Sequence, residues 1–374
     1  MANPLFVDRN QEKLNEYVRM SGIAGARSDY VQGGGGNTSV KLDDRLMAIK
    51  ASGYRLEQIA PDQAYAVLDY AMLRDFYHGN DPAAFADVEK IGSDMAKAAT
   101  QVIGGLPSLR PSVEAGFHSL LDTYVLHTHP VYANLATCSN EGVEIARRAL
   151  EGLDADYVFV PYINPGVQLA FAIDAACRRV TADNHKPPSI IFMQNHGLVV
   201  TGPDADTCLR LHDQVNQRIA AAFGVGAQDW PQIMLAAGQD QAGWVSATPW
   251  LRQRLLTQPW ELKTFTTRAI YPDQTVFLNG QMVEQSTGDL ADHLASGDLP
   301  TAKCTVFRAS GEVYYQCSET EARTIEETLC AVLFITDTIR RTGRTVSVMD
   351  EAGKDFINSW ESEKFRKSIA AQEQ

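Results

Sequence analysis

The sequence predicts an α/β protein in two parts, a larger unit over residues 1–228 and a smaller C-terminal α/β unit over 229–374. Strand-like and helix-like apolar patterns alternate through the first 225 or so residues, the signature of helices packed on a sheet. Composition then shifts to Gly, Ala and Gln across 224–245, and new strand and helix patterns follow. A chain of 374 residues is long for one ordinary domain and comfortable for two.

Taken in order, residues 8–22 read as a helix, with Leu14, Tyr17 and Val18 on one face and Gly22 as its stop. Gly33-Gly34-Gly35-Gly36 leads into an alternating strand from Asn37 to Leu42, and Met47–Lys50 reads as its hairpin partner, ending at Ala51-Ser52-Gly53. Helices are expected near 61–77 and 88–103. Arg110-Pro111-Ser112-Val113-Glu114 opens the next helix, since proline suits a first turn and the dipole favours an acid there. A strand carrying His127 and His129 follows, then a helix near 130–150, a strand at 157–161, a helix near 166–178, a strand at 189–195 and a long amphipathic helix over 203–223. In the second unit Gln274–Leu278 reads as a strand. Cys304–Arg308 and Val313–Cys317 read as a hairpin, and Ser318-Glu319-Thr320-Glu321 is a capping-box pattern before a long helix.

Composition excludes several classes of function. No apolar run approaches the length of a membrane span. The N-terminus lacks a basic segment followed by a long apolar one, so no secretory signal is expected. Six cysteines without a Cys-x-x-Cys pair suit buried thiols in a reducing, cytoplasmic setting. A net charge of −13 without a basic cluster argues against nucleic acid and anionic membranes as partners. A small anionic substrate would need a local site built from backbone N–H groups and a few polar side chains.

The strongest chemical signal is His127-Thr128-His129. Side chains alternate along a strand, so both imidazoles fall on one side. His196, in Asn195-His196-Gly197 after the apolar run Ile190–Met193, would complete a three-histidine metal site with an open position. The competing reading is three histidines that never meet. The glycine run is no nucleotide loop: a strand follows it, and neither Gly-x-x-x-x-Gly-Lys nor Gly-x-Gly-x-x-Gly is present. It is either a flexible turn or a place where backbone N–H groups and the Asn37 amide approach an anion. Ser52, Gly53 and Ser112 read as turn and helix-start residues. Ser112 beside exposed N–H groups could also meet a phosphate.

Six elements occur in order: Gly36-Asn37-Thr38-Ser39, Ala51-Ser52-Gly53, Pro111-Ser112-Val113-Glu114, His127-Thr128-His129, Pro161-Tyr162-Ile163-Asn164-Pro165-Gly166 and Asn195-His196-Gly197-Leu198. Together they resemble the class II aldolase/adducin family. The likeness is nearest to the aldolase half of bifunctional rhamnulose-1-phosphate aldolase/short-chain dehydrogenase proteins, which share the short Glu-to-His-x-His spacing and a match to Trp360–Arg366. No Rossmann fingerprint follows, so a dehydrogenase half is not expected in this chain.

The resemblance implies a three-layer α/β/α sandwich with a mainly antiparallel central sheet. It implies that His127, His129 and His196 bind Zn²⁺, with another divalent ion as the alternative, and that Glu114 is the acid/base. It assigns the substrate phosphate to Gly36, Asn37, Ser52, Gly53 and Ser112, although Val113 stands where sugar enzymes of the family often carry a second serine. Some members borrow a tyrosine from a neighbouring subunit; Tyr157 and Tyr162 are the two candidates here. The implied activity is retro-aldol cleavage of a ketose, foremost a ketose 1-phosphate, through a metal-bound enediolate. Alternatives are decarboxylation, dehydration or epimerisation of a sugar or sugar phosphate at the same site, or a non-catalytic adducin-like interaction module. The implied partners are a small sugar or sugar phosphate and further copies of the chain, a tetramer first.

Overall fold

The structure, a computed structural model, describes residues 4–238 and 243–359; the Trp360–Arg366 segment lies outside the described residues. A seven-stranded sheet is built from β1 (Asn37–Lys41), β2 (Leu46–Lys50), β3 (Tyr65–Asp69), β4 (Tyr124–Thr128), β5 (Tyr157–Val160), β6 (Ile190–Met193) and β7 (Gly197–Gly202). The strand order is β3-β2-β1-β4-β7-β6-β5, and every neighbouring pair is antiparallel except β5–β6.

Strand alternation sorts the side chains into two cores. Leu126, Ile190, Phe192, Leu198 and Val200 face one way and pack with Tyr17 and Val215, from helices Gln11–Gly25 and Ala205–Ala222. Val125, Ile191, Met193 and Val199 face the other way, against Tyr77, Phe117 and Ala170 from helices Tyr70–Gly79, Ala115–Leu120 and Val167–Asn184. Helices therefore cover both faces, and the sheet is the middle of three layers, as the family resemblance implies.

A second sheet holds β8 (Leu235–Ala237), β9 (Trp244–Ser246), β10 (Met282–Gln285), β11 (Cys304–Phe307) and β12 (Glu312–Tyr315), in the order β10-β11-β12-β9-β8. The β11–β12 hairpin falls where it is expected, and Ser318 Oγ caps helix Glu319–Arg341 by accepting from Glu321 N at 3.3 Å. The first of the two cores runs on without a break into Leu251, Val306, Tyr315, Leu329 and Ile339, so both sheets share it. No helix among the described residues is long and apolar enough to cross a membrane.

Several expected elements differ. The helix expected near 61–77 is β3 followed by helix Tyr70–Gly79, with Asp69 capping it by accepting from Met72 N at 3.1 Å. All of Tyr65–Asp69 is buried, and a strand buried on both faces loses the alternation that identifies it. Pro111 opens no helix: it bridges to Ala51, and the helix begins at Ala115, so Ser112 lies in the approach and not in a first turn. The single helix near 130–150 is two, Val131–Thr137 and Gly142–Ala149. The strand expected at 274–278 is helix Pro272–Phe277, where Gln274 donates to the carbonyls of Thr264 and Phe265 and accepts from Ile270 N. The strand expected to 195 ends at Met193 and turns straight back into β7, which sequence reading did not anticipate.

Candidate metal centre

Strand geometry brings the three histidines together. His127 is on β4 and His129 lies one residue past its end. β7 runs beside β4 with Leu198 opposite Thr128, so the turn before β7 delivers His196 to the same corner. Asn195 makes this turn with φ +51°, a left-handed conformation that asparagine tolerates. Its amide donates to the carbonyls of Ile270 (2.9 Å) and Ser347 (3.0 Å), and its Oδ1 accepts from Ser347 Oγ at 2.8 Å. Gly197 follows for lack of room: a Cβ there would lie 2.4 Å from the Thr128 carbonyl oxygen and 2.8 Å from His129 Cδ2.

The three rings are buried, and one nitrogen from each lies within 4.8 Å of the others. His127 Nε2 and His129 Nε2 are 3.2 Å apart. Glu114 faces the same point, with Oε2 3.5 Å from His127 Nε2 and Oε1 3.3 Å from His196 Nε2. The outer nitrogens fix the tautomers. His127 Nδ1 lies 3.0 Å from the Leu198 carbonyl, which can only accept, so Nδ1 carries the proton and Nε2 turns a lone pair inward. His129 Nδ1 lies 2.5 Å from the Asp273 carboxylate, an acceptor that places a proton on this outer nitrogen. Burial first, then the neighbouring His129 and His196 rings, hold the His127 imidazole far below its usual pKa and keep it in the neutral form that a metal ion requires. Three imidazoles with a carboxylate opposite are a donor set that fits a divalent metal ion.

Glu114 immediately precedes helix Ala115–Leu120 and is anchored by Asn37, whose Nδ2 donates to Glu114 Oε2 at 2.6 Å and to Ser112 Oγ at 2.9 Å. Asn37 is in turn fixed by buried His118, whose Nε2 meets Asn37 Oδ1 while Nδ1 accepts from Ser39 Oγ at 2.7 Å. Burial lowers the His118 pKa to about 3, so this ring is neutral.

Gly36, Asn37, Ser52, Gly53 and Ser112, far apart in sequence, line one cleft together with Glu114, His129 and His196. Gly36 has φ +68°, and a Cβ there would lie 2.5 Å from the His127 carbonyl oxygen, so the glycine run lets β1 start hard against the end of β4. Neither Tyr157, on the edge strand β5, nor Tyr162, bonded to Asn164 at 3.1 Å, is among the residues that line this cleft.

Sequence reading missed four contributors. Lys50, buried at the end of β2, and Pro272 also line the cleft. His118 stands one helical turn after Glu114, a spacing that could have flagged it. A charged residue ending the apolar run Met47-Ala48-Ile49 was the only signal for Lys50. Asp273 reaches His129 from the second unit and has no local signal at all.

Residues 18–222 match the family described as Class II Aldolase and Adducin N-terminal domain. A Bacillus subtilis (strain 168) protein named "Uncharacterized oxidoreductase YuxG" is 24% identical over 225 residues, 54% of this chain and 30% of that protein, so the chain spans less than a third of this relative's length. Among solved structures, an N-terminal class II aldolase domain from Thermoplasma acidophilum matches with a TM-score of 0.45 and 24% identity, over 55% of this chain and 91% of that one. YgbL from Klebsiella pneumoniae, described as a putative aldolase/epimerase/decarboxylase, matches with a TM-score of 0.39 and 19% identity, over 62% and 96%. The 18–222 match spans more than half of the chain and contains Glu114, His127, His129 and His196, and the chain belongs to the class II aldolase and adducin N-terminal domain family.

Proposed function

We propose that the protein is a metal-dependent aldehyde-lyase, a class II aldolase that cleaves a ketose, in first place a ketose 1-phosphate, with one Zn²⁺ per subunit held by His127, His129 and His196. One observation carries this reading: three imidazole nitrogens and the Glu114 carboxylate converge on one point, and Glu114, His129 and His196 line the same cleft as a set of anion-suited donors. When bound, the ion supplies Lewis-acid polarisation of the substrate's carbonyl and stabilisation of the negative charge left when the C–C bond breaks.

The chain's own groups do the rest. Glu114 takes and returns a proton at the reacting carbon, oriented by the Asn37 bond to its Oε2. The Gly36 and Gly53 backbone, the Asn37 amide and the Ser52 and Ser112 hydroxyls bind the remote anionic group, with the Lys50 ammonium nearby. Val113 supplies no hydroxyl, so Ser112 carries that side of the anion site. Free cysteines throughout support a cytoplasmic location. We also propose a homo-oligomer, a tetramer first; a monodisperse monomer by light scattering contradicts that part.

The activity test is a panel of ketose 1-phosphates offered to zinc-loaded protein, with release of dihydroxyacetone phosphate as the readout. Cleavage of at least one member supports the proposal. Carbon dioxide release, epimerisation or dehydration without cleavage would replace it with the corresponding reaction. A protein inert to the whole panel returns the adducin-like interaction module.

A further inference from the structure

The family match ends at residue 222, yet two of the three histidines are braced by residues well beyond it. Asp273, fully buried on helix Pro272–Phe277, places Oδ2 2.5 Å from His129 Nδ1. Asn195, next to His196, is clasped by the Ile270 carbonyl and by Ser347. The segment that presents Asp273 is itself tied down. Gln274 bonds the backbone at Thr264, Phe265 and Ile270, and Met349 N donates to the Ala269 carbonyl at 2.8 Å. The glycine run also meets the C-terminal unit: Glu327 Oε2, on helix Glu319–Arg341, accepts from Gly33 N at 2.9 Å.

Gly35 shows that the fit is specific. A Cβ at this position would lie 2.4 Å from Asp273 Oδ2 and 3.1 Å from His129 Nδ1. Its φ is outside the left-handed region, so the backbone itself does not demand glycine. The missing side chain makes room for a carboxylate from the other unit to reach an imidazole.

We infer that Asp273 is the positioning residue of the metal centre: by accepting from His129 Nδ1 it holds Nε2 toward the ion, and the C-terminal unit thereby sets how tightly the first sheet keeps its metal. This rests on reading His127, His129 and His196 as metal ligands. A carboxylate behind a ligating imidazole fixes the ring's orientation and tautomer and raises its basicity, and losing such a partner weakens metal binding by roughly 10–100-fold. Asp273 touches no reacting atom in this account. Its effect passes through His129.

The test is competition for Zn²⁺ between a chromophoric chelator and the full-length protein, wild type against Asp273→Ala, Asp273→Asn and Gly35→Ala. Asp273→Ala should bind zinc roughly 10–100-fold more weakly. Asp273→Asn should lose less, because an amide oxygen still accepts from Nδ1–H. Gly35→Ala should also lose affinity with Asp273 still present, because its methyl displaces the carboxylate. The Co²⁺-loaded Asp273→Asn variant should show a shifted visible band, which a purely structural role would leave in place. Zinc binding by Asp273→Ala as tight as wild type overturns the inference. If Asp273→Ala does not fold, unchanged affinity in both Gly35→Ala and Asp273→Asn overturns it instead. Wild-type protein that binds no divalent metal overturns the ligand reading and this inference together, whereas equal binding by wild type and variants overturns the inference alone.

Discussion

Glu114 sits 3.3 and 3.5 Å from two imidazole nitrogens, with Asn37 holding one of its oxygens at 2.6 Å. Glu114→Gln keeps the shape and the Asn37 contact but cannot exchange a proton. It should retain metal and lose about 10²–10⁴ in turnover, read by metal analysis and steady-state kinetics on the same preparation. Unchanged turnover would remove Glu114 from the chemistry. Ser112 receives the other Asn37 bond and lines the cleft. Ser112→Ala should raise KM for a phosphorylated ketose far more than for its unphosphorylated analogue, with kcat little changed, since binding to a remote group is what it removes. Equal effects on both substrates would mean that the anion is not a phosphate ester. At this scale the three clustered histidines were legible because two sit in a His-x-His pair and the third follows an apolar run. Asp273 was not, because its partner is 144 positions away in sequence and contact at that separation is set by tertiary packing alone.

The ends of strands, more than their middles, shape the site. β4 and β7 stop and start against each other so closely that Gly197 has no space for a methyl group beside the Thr128 carbonyl. A backbone oxygen cannot retreat without disturbing the β4–β7 ladder. Gly197→Ala should therefore destabilise the protein by about 1–3 kcal/mol in urea denaturation and weaken metal retention, whereas a neutral result would show that the corner is loose. β1, β2 and the β11–β12 hairpin were readable although nearly all of their residues are buried, because glycine-containing turns bound them. Two of the misread ones share a cause. β3 and helix Pro272–Phe277 are buried all round, and a fully buried run carries neither the strand nor the helix period.

Across the whole molecule one core serves both sheets, and polar groups are sealed inside it. We keep the division at 228/229 as a proposal: it separates the two sheets, while the metal corner draws on both sides of it. Two buried histidines outside the His127–His129–His196 cluster couple this packing to pH. His118 holds Asn37, and His212 Nε2 lies 2.6 Å from Oγ1 of Thr128, the residue between His127 and His129; burial lowers both pKa values to about 3 from an ordinary 6.5. The unfolded chain takes up these protons near pH 6.5 and the folded one only near pH 3. Their contribution to stability is thus complete above about pH 6.5 and is lost progressively as pH falls toward 3. Unfolding free energy of the metal-free protein should be lower at about pH 5 than at about pH 7.5, and a flat profile would contradict the buried, neutral assignment.

The most direct test of the account is the zinc content and coordination of the purified protein, by elemental analysis and X-ray absorption on one zinc-loaded sample. About one zinc per chain is expected, bound by imidazole nitrogens at about 2.0–2.1 Å, with loss of the metal in His196→Ala. Substoichiometric zinc, a sulfur shell, or His196→Ala that keeps its metal would contradict it.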